Sequence, residues 1–461
     1  MQLLKKALVL TLACLACAST QAAQKGKPNI LFIVGDDMGY SDVGFQGCKD
    51  IPTPNLDKLA ASGVRFTSGY VSAPYCSPSR AGMLTGRYQE KFGHEFNPSS
   101  PGSGLPTNQV TIADRLKKVG YHTGLVGKWH EGNEAWFHPQ KRGFDEFFGF
   151  LGGSHSYLKW NGMLRGTEPV SGEEYFTDAF GREASSYIEK NKNEPWFLYL
   201  AFNAVHTPMD ATEDRIKLFA KIDDTKRRTY AAMMYAMDQN IGRVLAKLEE
   251  TGQAENTYVI FFADNGGPVM PGTTMNASHN DPLRGGKRTT LEGGIRVPFI
   301  VSWKNHLKPA VYDNMAFTLD MTATALKIAG ADTKNLDGVN LMPYVTGKNN
   351  GQPHDVLYWR FGDQMAIRIG DYKLVRYDQN ADLKVGRKLP AVGPFLYNLK
   401  TDIGETKDLS KEMPDKLHEL QAKWDQWNKT LAKPAWGYGK GDSDGDPKQP
   451  KKKKKKDAPS V

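Results

Sequence analysis

The sequence predicts an α/β fold: a mainly parallel central sheet with flanking helices, then a small antiparallel sheet and a helix at the C-terminal end. Three observations predict it. Four apolar runs of strand length, beginning at Asn29, His122, Trp196 and Thr257, read as strands of a buried sheet. Helix-length segments lie between them, and that alternation favours parallel strands joined by crossovers. From about Val356 the pattern changes to short alternating stretches broken by Gly and Asp, which suits a small antiparallel sheet.

In chain order, the first strand covers Asn29 to Val34 and ends at Gly35-Asp36-Asp37. Pro54 to Ser62 reads as a helix, and Val64 to Val71 is an apolar, β-branched run. Thr111 to Val119 reads as a helix leading into the strand His122 to Val126, which ends at Gly127-Lys128-Trp129-His130. Thr177 to Glu189 is a helix. Trp196 to Phe202 is a strand ending at Val205-His206-Thr207-Pro208. Arg228 to Glu250 is a long helix, and Thr257 to Phe262 a strand ending at Ala263-Asp264-Asn265-Gly266. Near the end, Leu357 to Arg360, Gln364 to Ile369, Tyr372 to Tyr377 and Pro394 to Tyr397 are the short strands. Pro414 to Leu431 is an amphipathic helix with Leu417, Leu420, Trp424 and Trp427 along one side. Each of the four buried strands releases polar groups at its carboxyl end. Ligands of open α/β sheets bind just beyond those ends, so one site built from four parts of the chain is expected.

The 461 residues exceed one ordinary domain, and 39% apolar with 24% charged residues is the balance of a soluble globular protein. Residues 1–23 read as a secretory leader. Lys5 and Lys6 are its basic end, Ala7 to Ala18 its apolar core, and Thr20-Gln21-Ala22 or Gln21-Ala22-Ala23 its cleavage site. The apolar run is too short to span a membrane, no convincing lipobox precedes Cys14 or Cys17, and no other stretch reads as a membrane span. The expected location is therefore periplasmic or secreted. Residues 24–350 form the expected main α/β domain and 351–438 a C-terminal subdomain. Residues 439–461, with six lysines at 451 to 456, form an expected disordered tail. A solvated tail is preferred over an electrostatic tether to a polyanionic glycan. Of the formal charge of +9, the leader carries +2 and the tail +4, leaving about +3 on the body. Nucleic-acid binding is not expected, because no recognition motif accompanies the basic average.

The mature chain keeps Cys48 and Cys76, and a disulfide between them is arithmetically available in an oxidising compartment. Cys76-Ser77-Pro78-Ser79-Arg80 follows the β-branched run. Ser77 suits an N-cap, Pro78 the first helical position and Gly86 a stop. Cys76 should then stand at the mouth of a short helix, where free N–H groups favour an anion. Arg80, one turn on, points back at it.

Cys-x-Pro-x-Arg followed by Ala-x-x-x-Thr-Gly-Arg resembles the signature of the type I sulfatases, and the similarity runs from about Asn29 to the early 430s. The resemblance implies an alkaline-phosphatase-like fold. It implies oxidation of Cys76 to formylglycine by a formylglycine-generating enzyme or an anaerobic sulfatase maturase, which leaves Cys48 unpaired as a small buried residue. It also implies a divalent cation held by Asp36, Asp37, Asp264, Asn265 and the formylglycine oxygen at Cys76. Such oxygen donors select Ca²⁺ or Mg²⁺ over Zn²⁺, with Ca²⁺ first. Lys128 and His130 match the second signature, which usually continues Leu-Gly and here reads Glu131-Gly132. His206 matches the family's leaving-group histidine and Lys287 its second sulfate-binding lysine. Singly, each of these has a plain reading as a turn, a cap or a solvated side chain; the whole set carries the assignment.

The implied catalytic residues are Cys76, Arg80, Lys128, His130, His206 and Lys287. Cations neutralise the sulfate, a hydroxyl of the hydrated aldehyde attacks sulfur, and His206 with Lys287 protonates the departing sugar oxygen. His130 then takes a proton from the remaining hydroxyl, sulfate is eliminated and the aldehyde returns. The stretches Lys141 to Asp145 and Asn280 to Lys287 look most like galactosamine-6-sulfatase-like and galactan sulfatases. The expected substrate is a carrageenan-type sulfated galactan, with a glycosaminoglycan as the alternative. A phosphatase or phosphonate monoester hydrolase of the same superfamily, and a silent glycan-binding protein, stand behind these. The expected sugar-pocket rim is His94, Asn97, His155, Trp160 and Arg284.

Overall fold

The computed structural model describes residues 26–437; the leader and the lysine-rich tail lie outside the described residues. The strands are β1 (Asn29–Gly35), β2 (Val64–Phe66), β3 (Gly69–Tyr70), β4 (His122–Lys128), β5 (Glu146–Phe150), β6 (Leu164–Arg165), β7 (Glu168–Pro169) and β8 (Trp196–Ala201). They continue with β9 (Thr257–Ala263), β10 (Phe299–Ser302), β11 (Ala310–Tyr312), β12 (Ala316–Phe317), β13 (Val356–Phe361), β14 (Gln364–Ile369), β15 (Tyr372–Asp378) and β16 (Ala391–Asn398).

One ten-stranded sheet has the order β11-β2-β10-β9-β1-β8-β4-β5-β6-β7. Its centre, β9-β1-β8-β4-β5, is parallel. β1, β8 and β9 are buried along their whole length, which is why they carry unbroken apolar runs. Antiparallel pairs form only at the edges, with β10 against β9 on one side and β6 against β5 on the other. The four strands that release the predicted polar groups, β9, β1, β8 and β4, are consecutive neighbours. Their parallel register brings all four carboxyl ends to one edge.

β13 to β16 form the expected antiparallel sheet, a simple meander. Alternate residues of β13 are buried: Leu357 and Trp359 join the main core, and the Trp359 indole donates to the Val71 carbonyl at 2.8 Å. On the sheet's other face Met365, Ile367, Leu374 and Leu396 pack against Leu420 of the helix Pro414–Asn428. Among the described residues, no helix is long and apolar enough to cross a membrane.

Four helices differ in their bounds from the sequence expectation. The helix Ile112–Lys117 is shorter at both ends. Thr111 is its cap, in a reciprocal box with Asp114. Gly120 at φ 86° turns the chain, so Tyr121 N–H reaches back to the Leu116 carbonyl. The long helix begins earlier, at Thr225, because Asp224 caps it through the Arg227 N–H. Phe176–Lys190 is one residue longer at each end than read from sequence. The last helix stops at Asn428, three residues before the expected Leu431.

Candidate active site

The helix Cys76–Thr85 begins two residues earlier than its sequence suggests. Tyr75 takes the cap position and Cys76 the first helical one, so Ser77 is inside the helix rather than capping it. Gly86 ends the helix in the left-handed region at φ 65°, as read. The predicted free N–H at the helix mouth is partly taken: Ser77 N–H donates to Asn97 Oδ1 at 3.1 Å. The whole helix is buried. Burial pushes the Cys76 thiol well above its ordinary pKa, so an unconverted cysteine here is a neutral thiol.

Around Cys76 the structure gathers residues from all four strand ends. Sγ lies 3.8 Å from Asp36 Oδ1. Ligand atoms of Asp36, Asp37, Cys76 and His206 all lie within 4.8 Å of one another. Asp264 accepts from Arg80 Nε at 2.9 Å and from the Asp37 N–H at 3.3 Å. Asn265 donates to Asp37 Oδ1 at 2.8 Å and presents a buried Oδ1 with no hydrogen-bond partner. Three buried cations face three buried carboxylates. Lys128 pairs with Asp36, Lys287 with Asp37 at 2.9 Å, and Arg80 with Asp264. Arg80 also donates to the Tyr199 hydroxyl at 3.0 Å.

Burial and charged neighbours separate the carboxylates chemically. Burial and the neighbouring Asp264 push Asp36 up to about 8, against the pull of Lys128 and Arg80. Burial also acts on Asp37, but Lys287, His206 and the Asn265 amide outweigh it and hold that carboxyl well below the usual range. His130 is driven well below 6.5 by burial and by the positive neighbours Lys128, Arg80, His206 and Lys287, so it is neutral. Its Nδ1 is buried with no hydrogen-bond partner. Two glycines make this geometry sterically feasible. A Cβ on Gly127, at φ 115°, would meet the Ala201 carbonyl at 1.9 Å, and a Cβ on Gly153 would meet the His130 ring at 2.4 Å.

His206 Nδ1 lies 2.5 Å from the Thr207 carbonyl, which fixes the tautomer and leaves Nε2 facing Lys287 at 3.4 Å and Asp37 at 3.5 Å. Residues that the sequence reading passed over complete the site. Thr274 donates to Asp37 at 2.8 Å and accepts from Lys287 at 3.0 Å, and Asn276 donates to the Asp37 and Val205 carbonyls. Both sit in an irregular loop with no periodic signal. Tyr199 was hidden inside the apolar run of β8, where its hydroxyl was the sole polar hint.

Each of the five residues expected to rim a sugar pocket has partners within the protein. His94 is fully buried, 2.6 Å from Ser77 Oγ and 3.7 Å from Glu131, with Trp436 packed on its ring. With Asn97 it holds Ser77 in the first turn of the Cys76 helix. Burial holds His94 down near 3 and pushes Glu131 well above the usual carboxyl range, so this is a neutral layer. His155 is sandwiched between Phe150 and Phe176, with both ring nitrogens 2.8 Å from backbone carbonyls. Trp160 packs edge-on against Phe176 and donates to the Glu174 carbonyl at 2.9 Å. Arg284 reaches the C-terminal sheet region, donating to Tyr377 OH at 2.6 Å, the Glu405 carbonyl at 2.7 Å and Asp382 at 2.5 Å.

Cys48 is half-buried and unpaired, beside Asp50 and Arg227, so no disulfide joins it to Cys76. Burial, and then its contact with Asp50, push its thiol up to about 11.

Comparison with known proteins agrees with this geometry. The chain matches the family described as Sulfatase over residues 28–331, and that described as N-sulphoglucosamine sulphohydrolase, C-terminal, over 285–426. N-acetylgalactosamine-6-sulfatase of Mus musculus is 31% identical over 454 residues, covering 87% of this chain and 85% of that protein. The crystal structure of Ps i-CgsB in complex with k-i-k-neocarrahexaose has a TM-score of 0.81 at 36% identity, covering 90% of this chain and 96% of that one. PsFucS1 sulfatase from Pseudoalteromonas sp. has a TM-score of 0.78 at 26% identity, covering 90% and 92%. With the polar groups of four adjacent strand ends closed around Cys76 and a family match over most of the α/β body, the chain belongs to the sulfatase family, sulfuric ester hydrolases.

Proposed function

We propose that this protein removes sulfate from a carrageenan-type galactan, using a formylglycine made from Cys76 and a bound Ca²⁺. The observation that carries the reaction is the buried convergence of Cys76, Lys128, His206 and Lys287 on one carboxylate cluster, with His130 buried within reach of the charges of Lys128, His206 and Lys287. The galactan reading is supported by the likeness to Ps i-CgsB, whose structure holds a neocarrahexaose. The N-acetylgalactosamine-6-sulfatase relatives favour a glycosaminoglycan as the second reading. The leader supports a periplasmic or secreted location, and a formylglycine-generating enzyme or anaerobic maturase is the partner this chemistry requires.

The donor set fits a hard cation. Asp36, Asp37, Asp264 and the partnerless Oδ1 of Asn265 are oxygens, and Sγ of Cys76 stands where the converted residue would place an oxygen. A cation there supplies positive charge to the sulfuryl oxygens, and the formylglycine hydrate supplies one hydroxyl to attack sulfur and a second whose proton is later removed. The chain's own groups do the rest. Lys128 and Lys287, anchored on Asp36 and Asp37, present two ammonium groups in a water-poor site where charge acts strongly. Arg80 holds the Asp264 carboxylate in place. His206, with its Nδ1–H held by the Thr207 carbonyl, gives a proton from Nε2 to the departing sugar oxygen as the imidazolium, with Asp37 at 3.5 Å and Lys287 beside it. His130, kept neutral, accepts the proton from position 76.

The test is sulfate release from defined carrageenan and chondroitin oligosaccharides alongside aryl sulfate and aryl phosphate. Desulfation of chondroitin fragments alone would replace the galactan reading. Faster turnover of aryl phosphate than of every sulfate ester would move the activity to phosphoryl transfer.

A further inference from the structure

Beside the neutral layer formed by His94 and Glu131 lies a hollow of about 530 Å³, walled by Trp136, Trp436 and the hydroxyl and amide groups of Ser100, Thr107 and Asn108. It shares the wall residues Ser100, Pro101 and Ser103 with a second hollow of about 430 Å³ that adds Asn133 and Glu134. Trp136 is 55% exposed, although an indole is among the side chains most favoured by burial. Its backbone mount is nonetheless rigid. The turn Ala135–Phe137 is pinned by the Trp129 indole, which donates to the Phe137 carbonyl at 2.8 Å, and Phe137 itself is buried. The facing loop is fixed as well, with Leu105 N–H bound to the Glu131 carbonyl and Gly102 N–H to Glu134 Oε1 at 2.6 Å. A rigid platform that holds an aromatic face towards solvent among hydroxyl groups matches the chemistry of a sugar ring, with its apolar C–H face and polar rim.

We infer that this groove is a second carbohydrate site, which takes an unsulfated sugar residue of the same polymer whose sulfate is removed at position 76. The inference rests on the polysaccharide reading above. Charge selects the unsulfated residue: among the described residues no lysine or arginine lines either hollow, and the Glu134 carboxylate does, so the walls they form repel a sulfated ring. Chain length sets the distance. Asn133 follows His130 by three residues and Trp136 by six, so their Cα atoms lie within about 11 Å and about 23 Å of that of His130. One polymer strand can thus engage both places, and joint engagement raises the effective concentration of the ester at the catalytic cluster.

The experiment compares the full chain with Trp136→Ala, whose exposed ring can be removed without opening the core. Two quantities are read: kcat/KM on carrageenan polymer and on a small aryl sulfate, and quenching of tryptophan fluorescence by an unsulfated galactan oligosaccharide. The expected result is a loss of about tenfold or more on the polymer through KM, an unchanged aryl sulfate rate, and loss of the quenching. Equal polymer kinetics and equal quenching in the two proteins would overturn the inference. If the unaltered protein desulfates no galactan, the substrate reading fails by itself, and the fluorescence arm still decides whether the groove binds sugar.

Discussion

Lys287 places one ammonium 2.9 Å from the Asp37 carboxylate and 3.4 Å from Nε2 of His206, so a single cation joins the carboxylate cluster to the histidine that faces it. Lys287→Ala is expected to lower kcat by about 10²- to 10⁴-fold, the scale of a general-acid contribution. The loss should be larger for a sugar sulfate than for an aryl sulfate, whose leaving group needs less protonation. Equal losses on the two substrates would separate Lys287 from leaving-group chemistry.

Position 76 should carry formylglycine in active protein. The conversion lowers the mass of its peptide by about 18 Da, read by mass spectrometry. Because burial keeps the unconverted thiol neutral, activity should scale with the converted fraction. Activity that does not change with that fraction would exclude the assignment.

Exhaustive chelation should abolish turnover, and added Ca²⁺ should restore it and raise Tm. A ligand at a hundred times its Kd adds about 2.7 kcal/mol to stability. Retention of full activity, with metal removal verified by elemental analysis, would remove the cation from the reaction.

Arg284→Ala should lower activity on polymer and aryl sulfate alike, with a stability loss of about 1–2 kcal/mol, since the side chain is only partly shielded. Its fork is spent on Tyr377, Asp382 and the Glu405 carbonyl, which tie the segment carrying Lys287 to the C-terminal sheet. A loss confined to the polymer would return Arg284 to a substrate contact, as the sequence first suggested.

Glu405 makes a pH-dependent version of the same tie. It is fully buried beside Lys373 and Glu292, and its carboxylate accepts the Glu292 N–H at 2.7 Å. Burial raises its pKa from 4.5 to about 7, with Lys373 opposing, whereas Lys373 and the nearby arginines overcome burial and hold Glu292 down near 2. A carboxyl raised on folding binds more protons folded than unfolded, so its contribution to stability falls as pH rises from about 4.5 to about 7. Glu405→Gln should therefore gain stability relative to the unaltered protein across that window, by about 1–3 kcal/mol. A pH-independent difference in thermal midpoints would show that Glu405 does not titrate there.

The sequence by itself determined the elements and where their polar ends would meet. Unbroken apolar runs such as Asn29 to Val34 require burial on both faces, and parallel strands so buried deliver Asp36, Lys128, His206 and Asp264 to one edge. The motif around Cys76 likewise fixed a short helix ended by Gly86. Tertiary structure alone decided what each polar group faces. Ser77, read as a cap, gives its N–H to Asn97, and His94 and Asn97 both turn inward to Ser77. Arg284 turns to the C-terminal sheet, and Thr274 reaches Asp37 across 237 residues of sequence. The physical reason is range. Periodicity and caps record interactions within a few residues, while a hydrogen bond between distant segments leaves no local pattern and is fixed only when the packed core brings the two backbones together.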